Sequence, residues 1–193
     1  MPTSETDPAA APKTGEAAQR RKLAKLLAAT AEGDRAAFRR LYDLSIRFVF
    51  GIVVAVMRDQ QLSEEIAQEV YVTIWKRAKT FDDQKGNPLA WMAAIARNRA
   101  IDRLRAERAR GFVSFTDEVP DMADNKNEAE LTVDAITLRR MLEDLRPEFR
   151  QALLLSYFRG YTHAELAAVL DVPLGTAKSW VNRGLAALRE MLQ

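Results

Sequence analysis

Apolar residues recur at helical spacing on both sides of one acidic stretch, and nothing longer than a few residues alternates as a half-buried strand must. Ile66, Val70, Ile74 and Ala78 follow an i, i+4 rhythm, and Ala177, Val181, Leu185, Leu188 and Leu192 repeat it near the C-terminus. The acidic stretch, Gly111 to Asp134, holds seven acids (Asp117, Glu118, Asp121, Asp124, Glu128, Glu130 and Asp134) against Lys126, a net of −6. Such a segment solvates itself and does not build a core. The expected fold is therefore all-α, with two small helical domains over 19–110 and 135–193 joined by a flexible acidic linker over 111–134. Residues 1–18, rich in Ala, Pro, Thr and Glu, read as a disordered tail.

In the first domain the spacing predicts helices over Gln19–Ala31 and Asp34–Met57, interrupted at Gly33. Ser63 is placed to cap a helix over Glu64–Lys79, whose acidic start suits the helix dipole. A loop, Phe81 to Pro88, precedes a helix over Leu89–Ala106 that turns Trp91, Ile95, Ala96 and Leu104 inward. That makes a four-helix-like bundle. Phe38, Phe48, Phe50, Trp75 and Trp91 are expected in the core, because aromatics at helical spacing bury themselves.

The second domain reads as helices over Ala135–Leu145, Pro147–Arg159, Thr162–Leu170 and Pro173–Leu192. Pro147 opens one helix and Gly160 closes it; Thr162 and Glu165 form a capping box. Asp171-Val172-Pro173-Leu174 is then a short turn between two helices, the spacing of a helix-turn-helix. On that register Lys178, Ser179, Asn182 and Arg183 share the outward face, and each can donate to phosphates or base edges.

Composition removes other classes. The 193 residues contain no cysteine and one histidine, His163, so disulfides, thiolate metal sites and histidine-based triads lose their raw material. No glycine-rich phosphate loop or catalytic constellation stands out, and the reading is of a protein that is not an enzyme and takes no cofactor or metal. Phe48 to Met57, flanked by Arg47 and Arg58, falls well short of the roughly 20 residues that cross a bilayer. No membrane insertion and a cytoplasmic location are expected. The overall charge of +2 hides a segregation: Arg97 to Arg110 carries six arginines against Asp102 and Glu107, a net of +4. Such a helix is a solvated charged face or a nucleic-acid surface.

Two segments together decide between these. Ile66-Ala67-Gln68-Glu69-Val70 through Trp75, followed by Trp91-Met92-Ala93-Ala94-Ile95-Ala96-Arg97-Asn98-Arg99-Ala100-Ile101-Asp102, resembles region two of the extracytoplasmic-function (ECF) sigma factors of bacterial RNA polymerase. Leu145-Arg146-Pro147-Glu148-Phe149-Arg150, Gly160-Tyr161-Thr162 and Pro173-Leu174-Gly175-Thr176-Ala177-Lys178-Ser179 resemble their region four. The resemblance implies a transcription initiation factor whose partners are core RNA polymerase, through the clamp coiled coil of its largest subunit and the flap, and promoter DNA. It also implies an anti-sigma factor and a role in a stress or envelope response.

Carried onto this chain, the resemblance makes Glu65, Gln68 and Glu69 the clamp-facing residues, since acids and an amide pair with a basic coiled coil. Phe81, Asn98 and Asp102 fall where relatives line a pocket for an unstacked base of the minus-ten element, while Arg97, Arg99 and Arg103 hold phosphates. Thr176, Lys178, Ser179, Asn182 and Arg183 belong to the helix that reads the minus-thirty-five element. Trp180 departs from relatives that carry a basic residue there, and the loop Asp82 to Asn87 spells no recognisable promoter preference.

The linker's length agrees with that division. Its 24 residues reach at most about 80 Å extended, whereas elements about 16 to 17 base pairs apart are separated by about 55 Å. Relatives thread this linker through the basic RNA exit path, which its charge would suit. The rival reading is a free-standing helix-turn-helix regulator that acts without polymerase and binds palindromic operators. Co-purification with core polymerase discriminates the two.

Overall fold

The computed structural model describes residues 11–110 and 139–191. They form two compact units, one up to Ala100 and the other from Ile101. The acidic linker 111–134, the start of the helix expected from Ala135 and the first ten residues of the expected tail lie outside the described residues.

In the first unit, α1 runs Ala11–Ala31, α2 Arg35–Met57 and α3 Gln60–Arg77, followed by a 3-10 turn over Ala78–Thr80. The next helix, α4, spans Pro88–Ala109 and enters the second unit after Ala100. α1 thus starts before Gln19 and takes in residues 11–18, which the sequence assigns to the tail; their alanines favour helix. Asp34 caps α2 by accepting from the Ala36 and Ala37 amides at 2.8 and 3.0 Å. Leu23, Leu27, Leu41, Val49, Val53, Ile66, Val70, Ile74 and Met92 are fully buried or nearly so. Each such side chain contributes about 1.5–3 kcal/mol of burial.

Two expectations fail here. α3 begins at Gln60 because Asp59 is its cap, its carboxylate accepting from the Leu62 amide at 2.8 Å. Ser63 is a buried residue of the first turn, and its hydroxyl donates to the Asp59 carbonyl at 2.5 Å. Phe48, expected in the core, is 41% exposed, and Phe38, Phe50, Trp75 and Trp91 are only half-buried. Phe38 sits between Tyr71 and Trp75 in edge-on contacts, with centroids 6.2 and 5.0 Å away.

In the second unit, residues 139–143 are helical, and α5 (Pro147–Phe158), α6 (His163–Val169) and α7 (Leu174–Met191) follow. Leu153, Leu155, Tyr161, Leu166, Ala177 and Val181 lie in its core. Gly160 has a φ of +68°, and a Cβ there would come within 2.7 Å of Ile101 Cγ2. Its carbonyl accepts from Arg105 Nε and Nη2 at 3.2 and 2.7 Å.

Candidate nucleic-acid interface

The helix-turn-helix is built from three local devices. Thr162 Oγ1 accepts from the Glu165 amide at 3.2 Å while the Glu165 carboxylate accepts from the Thr162 amide at 2.6 Å. That completes the capping box at the start of α6. The Thr162 amide holds the Glu165 carboxyl below the usual carboxylate range. The chain leaves α6 through Asp171, whose φ of +50° is the left-handed conformation that Asp tolerates better than most residues. Pro173 then starts the return, its carbonyl accepting from the Thr176 and Ala177 amides at 2.9 and 3.1 Å.

α7 buries Ala177, Val181 and Gly184 against α5 and α6. With that face inward, Lys178, Asn182 and Arg183 are exposed, while Thr176 and Ser179 are half-exposed beside them. All five occupy the outward half of one helix, a shape that can enter a major groove. Leu185 and Leu188, expected to be inward, are half-buried at the edge of the core. Trp180 is half-buried and packs against that core. His163 is exposed next to the cap.

In the first unit, α3 turns Glu64, Glu65, Gln68, Val72 and Lys76 outward. Val72, 53% exposed, was missed by the motif-based reading. The i, i+4 line through Gln68 contains it, so spacing alone could have found it. Glu69 is half-buried at the edge of this stripe, and its Oε2 receives Arg99 Nε and Nη2 of α4, both at 2.6 Å. Arg99 is thus held by an acid expected to face polymerase.

The other expected minus-ten residues are distributed along α4 and the preceding loop. Asn98 and Asp102 are exposed and four residues apart; Arg97 is half-buried. Arg103 Nε pairs with Glu107 Oε1 at 2.7 Å, and Arg110 Nη1 approaches the same oxygen at 3.7 Å. Glu107 is itself buried, so this pairing is part of the helix's packing. The loop proves to be an Asp82-centred turn: the Asp82 side chain accepts from the Gln84 amide at 3.1 Å and pairs with Lys85 Nζ at 2.9 Å. That lysine lowers the Asp82 carboxyl, and Asp82 raises the Lys85 ammonium in turn. Asn87 accepts from the Leu89 amide at 2.9 Å at the start of α4.

Phe81 is half-buried, edge-on to Trp91 with centroids 5.6 Å apart. It also lines an open cleft of about 480 Å³ with Ala24, Ala28 and Ala31 of α1 and with Asp82 and Asp83. Asn98 is not part of that lining.

Residues 41–110 match the family model "Sigma-70 region 2", and residues 135–188 match "Sigma-70, region 4". The chain is 36% identical over 189 residues to the ECF RNA polymerase sigma factor SigK of Mycobacterium ulcerans (strain Agy99), covering 93% of this chain and 98% of that protein. SigK of Mycobacterium tuberculosis (strain H37Rv) is 36% identical over 179 residues, covering 88% and 93%. Among solved structures, CnrH in complex with the cytosolic domain of CnrY is similar at 20% identity and a TM-score of 0.43, covering 89% and 97%.

Proposed function

The chain belongs to the ECF family of RNA polymerase sigma factors, and on that premise we propose how its surfaces divide the work of promoter-specific transcription initiation. As a sigma factor it directs core RNA polymerase to promoters. In this reading, residues 19–110 act as region two, 135–193 as region four and 111–134 as the tether between them.

Glu65, Gln68 and Glu69 meet the clamp coiled coil of core polymerase, with Val72 adding an apolar contact on the same helix face. Phe81, Asn98 and Asp102 receive an unstacked base of the minus-ten element, and Arg97, Arg99 and Arg103 hold the strand by its phosphates. Thr176, Lys178, Ser179, Asn182 and Arg183 read the minus-thirty-five element in the major groove. The observation that carries this reading is the outward half of α7, where five donors gather opposite a buried Ala177–Val181–Gly184 face. Region four also meets the polymerase flap.

The factor works in the cytoplasm, is not an enzyme, and is held inactive by an anti-sigma factor until a stress or envelope signal releases it. Among the described residues no helix is long and apolar enough to cross a membrane, which is compatible with that location.

Run-off transcription tests the proposal. Purified core polymerase with and without the protein is offered promoter fragments selected from a random library. Specific initiation that depends on the protein and is lost on Asn182→Ala or Arg99→Ala is the expected result. DNA binding with no effect on transcription would instead make the protein a free-standing regulator.

A further inference from the structure

We propose that Glu69 and Arg99 form an exchangeable ion pair: Glu69 occupies Arg99 in the free protein, and a basic polymerase helix that takes Glu69 releases Arg99 for a strand phosphate. The inference rests on the surface assignments proposed above. Arg99 Nε and Nη2 both reach Glu69 Oε2 at 2.6 Å, so one carboxylate oxygen fills the guanidinium fork that a phosphate oxygen would take. The two residues lie 30 positions apart, on α3 and α4, and join the helix that carries Glu65 and Gln68 to the helix that carries Asn98.

Exposure decides that this pair can exchange. The Arg99 and Glu69 side chains are 48% and 44% exposed, so water and salt reach both partners and the pair is weak. The Arg103–Glu107 pair is different: the Glu107 side chain is 11% exposed, and both residues lie on one helix. Of these two arginines, Arg99 is the one whose availability depends on an acid at the polymerase-facing edge. Docking and strand binding then favour each other, since each relieves the other of a competing partner.

Binding of a fluorescent single-stranded minus-ten oligonucleotide to the full chain, without polymerase, tests the exchange. Glu69→Gln should tighten binding about twofold to fivefold, the range that an exposed pair can supply. In an Arg99→Ala background the same substitution should do nothing. Glu64→Gln, an exposed acid on the same helix, controls for the general loss of negative charge. Glu69→Asp, with a shorter reach, should fall between wild type and Glu69→Gln. With saturating core polymerase, the difference in strand affinity between wild type and Glu69→Gln should close. The proposal is overturned if Glu69→Gln binds no tighter than Glu64→Gln, or if the tightening survives Arg99→Ala. Failure of the underlying assignment is a separate result: Arg99→Ala holoenzyme that initiates like wild type would show that Arg99 holds no strand phosphate at all.

Discussion

A Cβ at Gly184 would lie 2.7 Å from Leu153 Cδ1 and 3.0 Å from Leu153 Cγ, so α7 rests on α5 closely enough that any side chain there must push Leu153 aside. Leu153 is itself 3% exposed in the core and has little room to move aside. Gly184→Ala gains about 1 kcal/mol of helix propensity but meets an overpacking cost of about 1–3 kcal/mol. The expected net is a modest loss of stability, and Gly184→Val, bulkier and β-branched, should lose clearly more. Thermal or urea unfolding measures both. Equal or greater stability for Gly184→Val would mean that the helices separate at no cost.

Ser45 and Tyr71 form a buried polar pair whose proton order can be read from geometry. The Ser45 hydroxyl lies 2.6 Å from the Leu41 carbonyl, which can only accept, and 2.7 Å from Tyr71 Oη. Ser45 therefore donates to Leu41, and Tyr71 donates to Ser45. Burial pushes the Tyr71 phenol up to about 12, and the bond it donates to Ser45 favours the same neutral form. Because this folded-state value lies above the ordinary 10.0, the phenol's contribution to stability is intact below pH 10 and is lost as pH rises from 10 towards 12. Ser45→Ala should cost about 1–3 kcal/mol by leaving a buried hydroxyl unpaired, which urea unfolding measures. Tyrosinate absorbance during a pH titration, with Tyr71→Phe as reference, follows the raised titration of the phenol.

The capping box at Thr162 and Glu165 predicts an acid-sensitive start to α6. Thr162→Ala should cost about 1 kcal/mol of stability, within the usual range for a lost cap. The lowered Glu165 carboxyl gives the opposite pH sign to Tyr71: its contribution is present above the unfolded-state value and is lost as pH falls through the lowered folded value. Glu165→Gln should flatten that acid limb in unfolding experiments. An unchanged acid limb would show that the carboxylate contributes nothing to the cap.

On α7, base readers and phosphate holders should separate by their response to sequence and salt. If Asn182 reads a base edge, Asn182→Ala relaxes preference at one promoter position by about 1–3 kcal/mol. If Lys178 holds a phosphate, Lys178→Ala weakens all sites alike and lowers the salt slope by about 0.9. Binding isotherms at several salt concentrations, on matched and mismatched minus-thirty-five duplexes, distinguish the two. Identical behaviour of the two variants would remove the distinction.

Much of this was legible in the amino-acid order because it depends on contacts a few residues apart. Thr162 and Glu165 are three positions apart, and the box they were expected to form is present at the start of α6. Helical period alone placed Ala177 and Val181 inward and Lys178, Asn182 and Arg183 outward. The all-α class with its two helical units follows from the same period, together with the charge that separates them.

Tertiary structure decided what depends on neighbours distant in sequence. Period identifies the more apolar face of a helix but not how much of it another helix will cover, which is why Phe48 is exposed while Val49 beside it is fully buried. Ser63 was the expected cap, but its burial in the core puts it inside the first turn, and Asp59, four residues earlier, caps the helix instead. Tyr71 finds Ser45 across 26 residues and Arg99 finds Glu69 across 30, because α2, α3 and α4 bring them together. Amino-acid order determined which side chains could donate, accept or bury themselves; packing determined their partners, since hydrogen bonds and ion pairs form only within about 3 Å and only folding closes that distance.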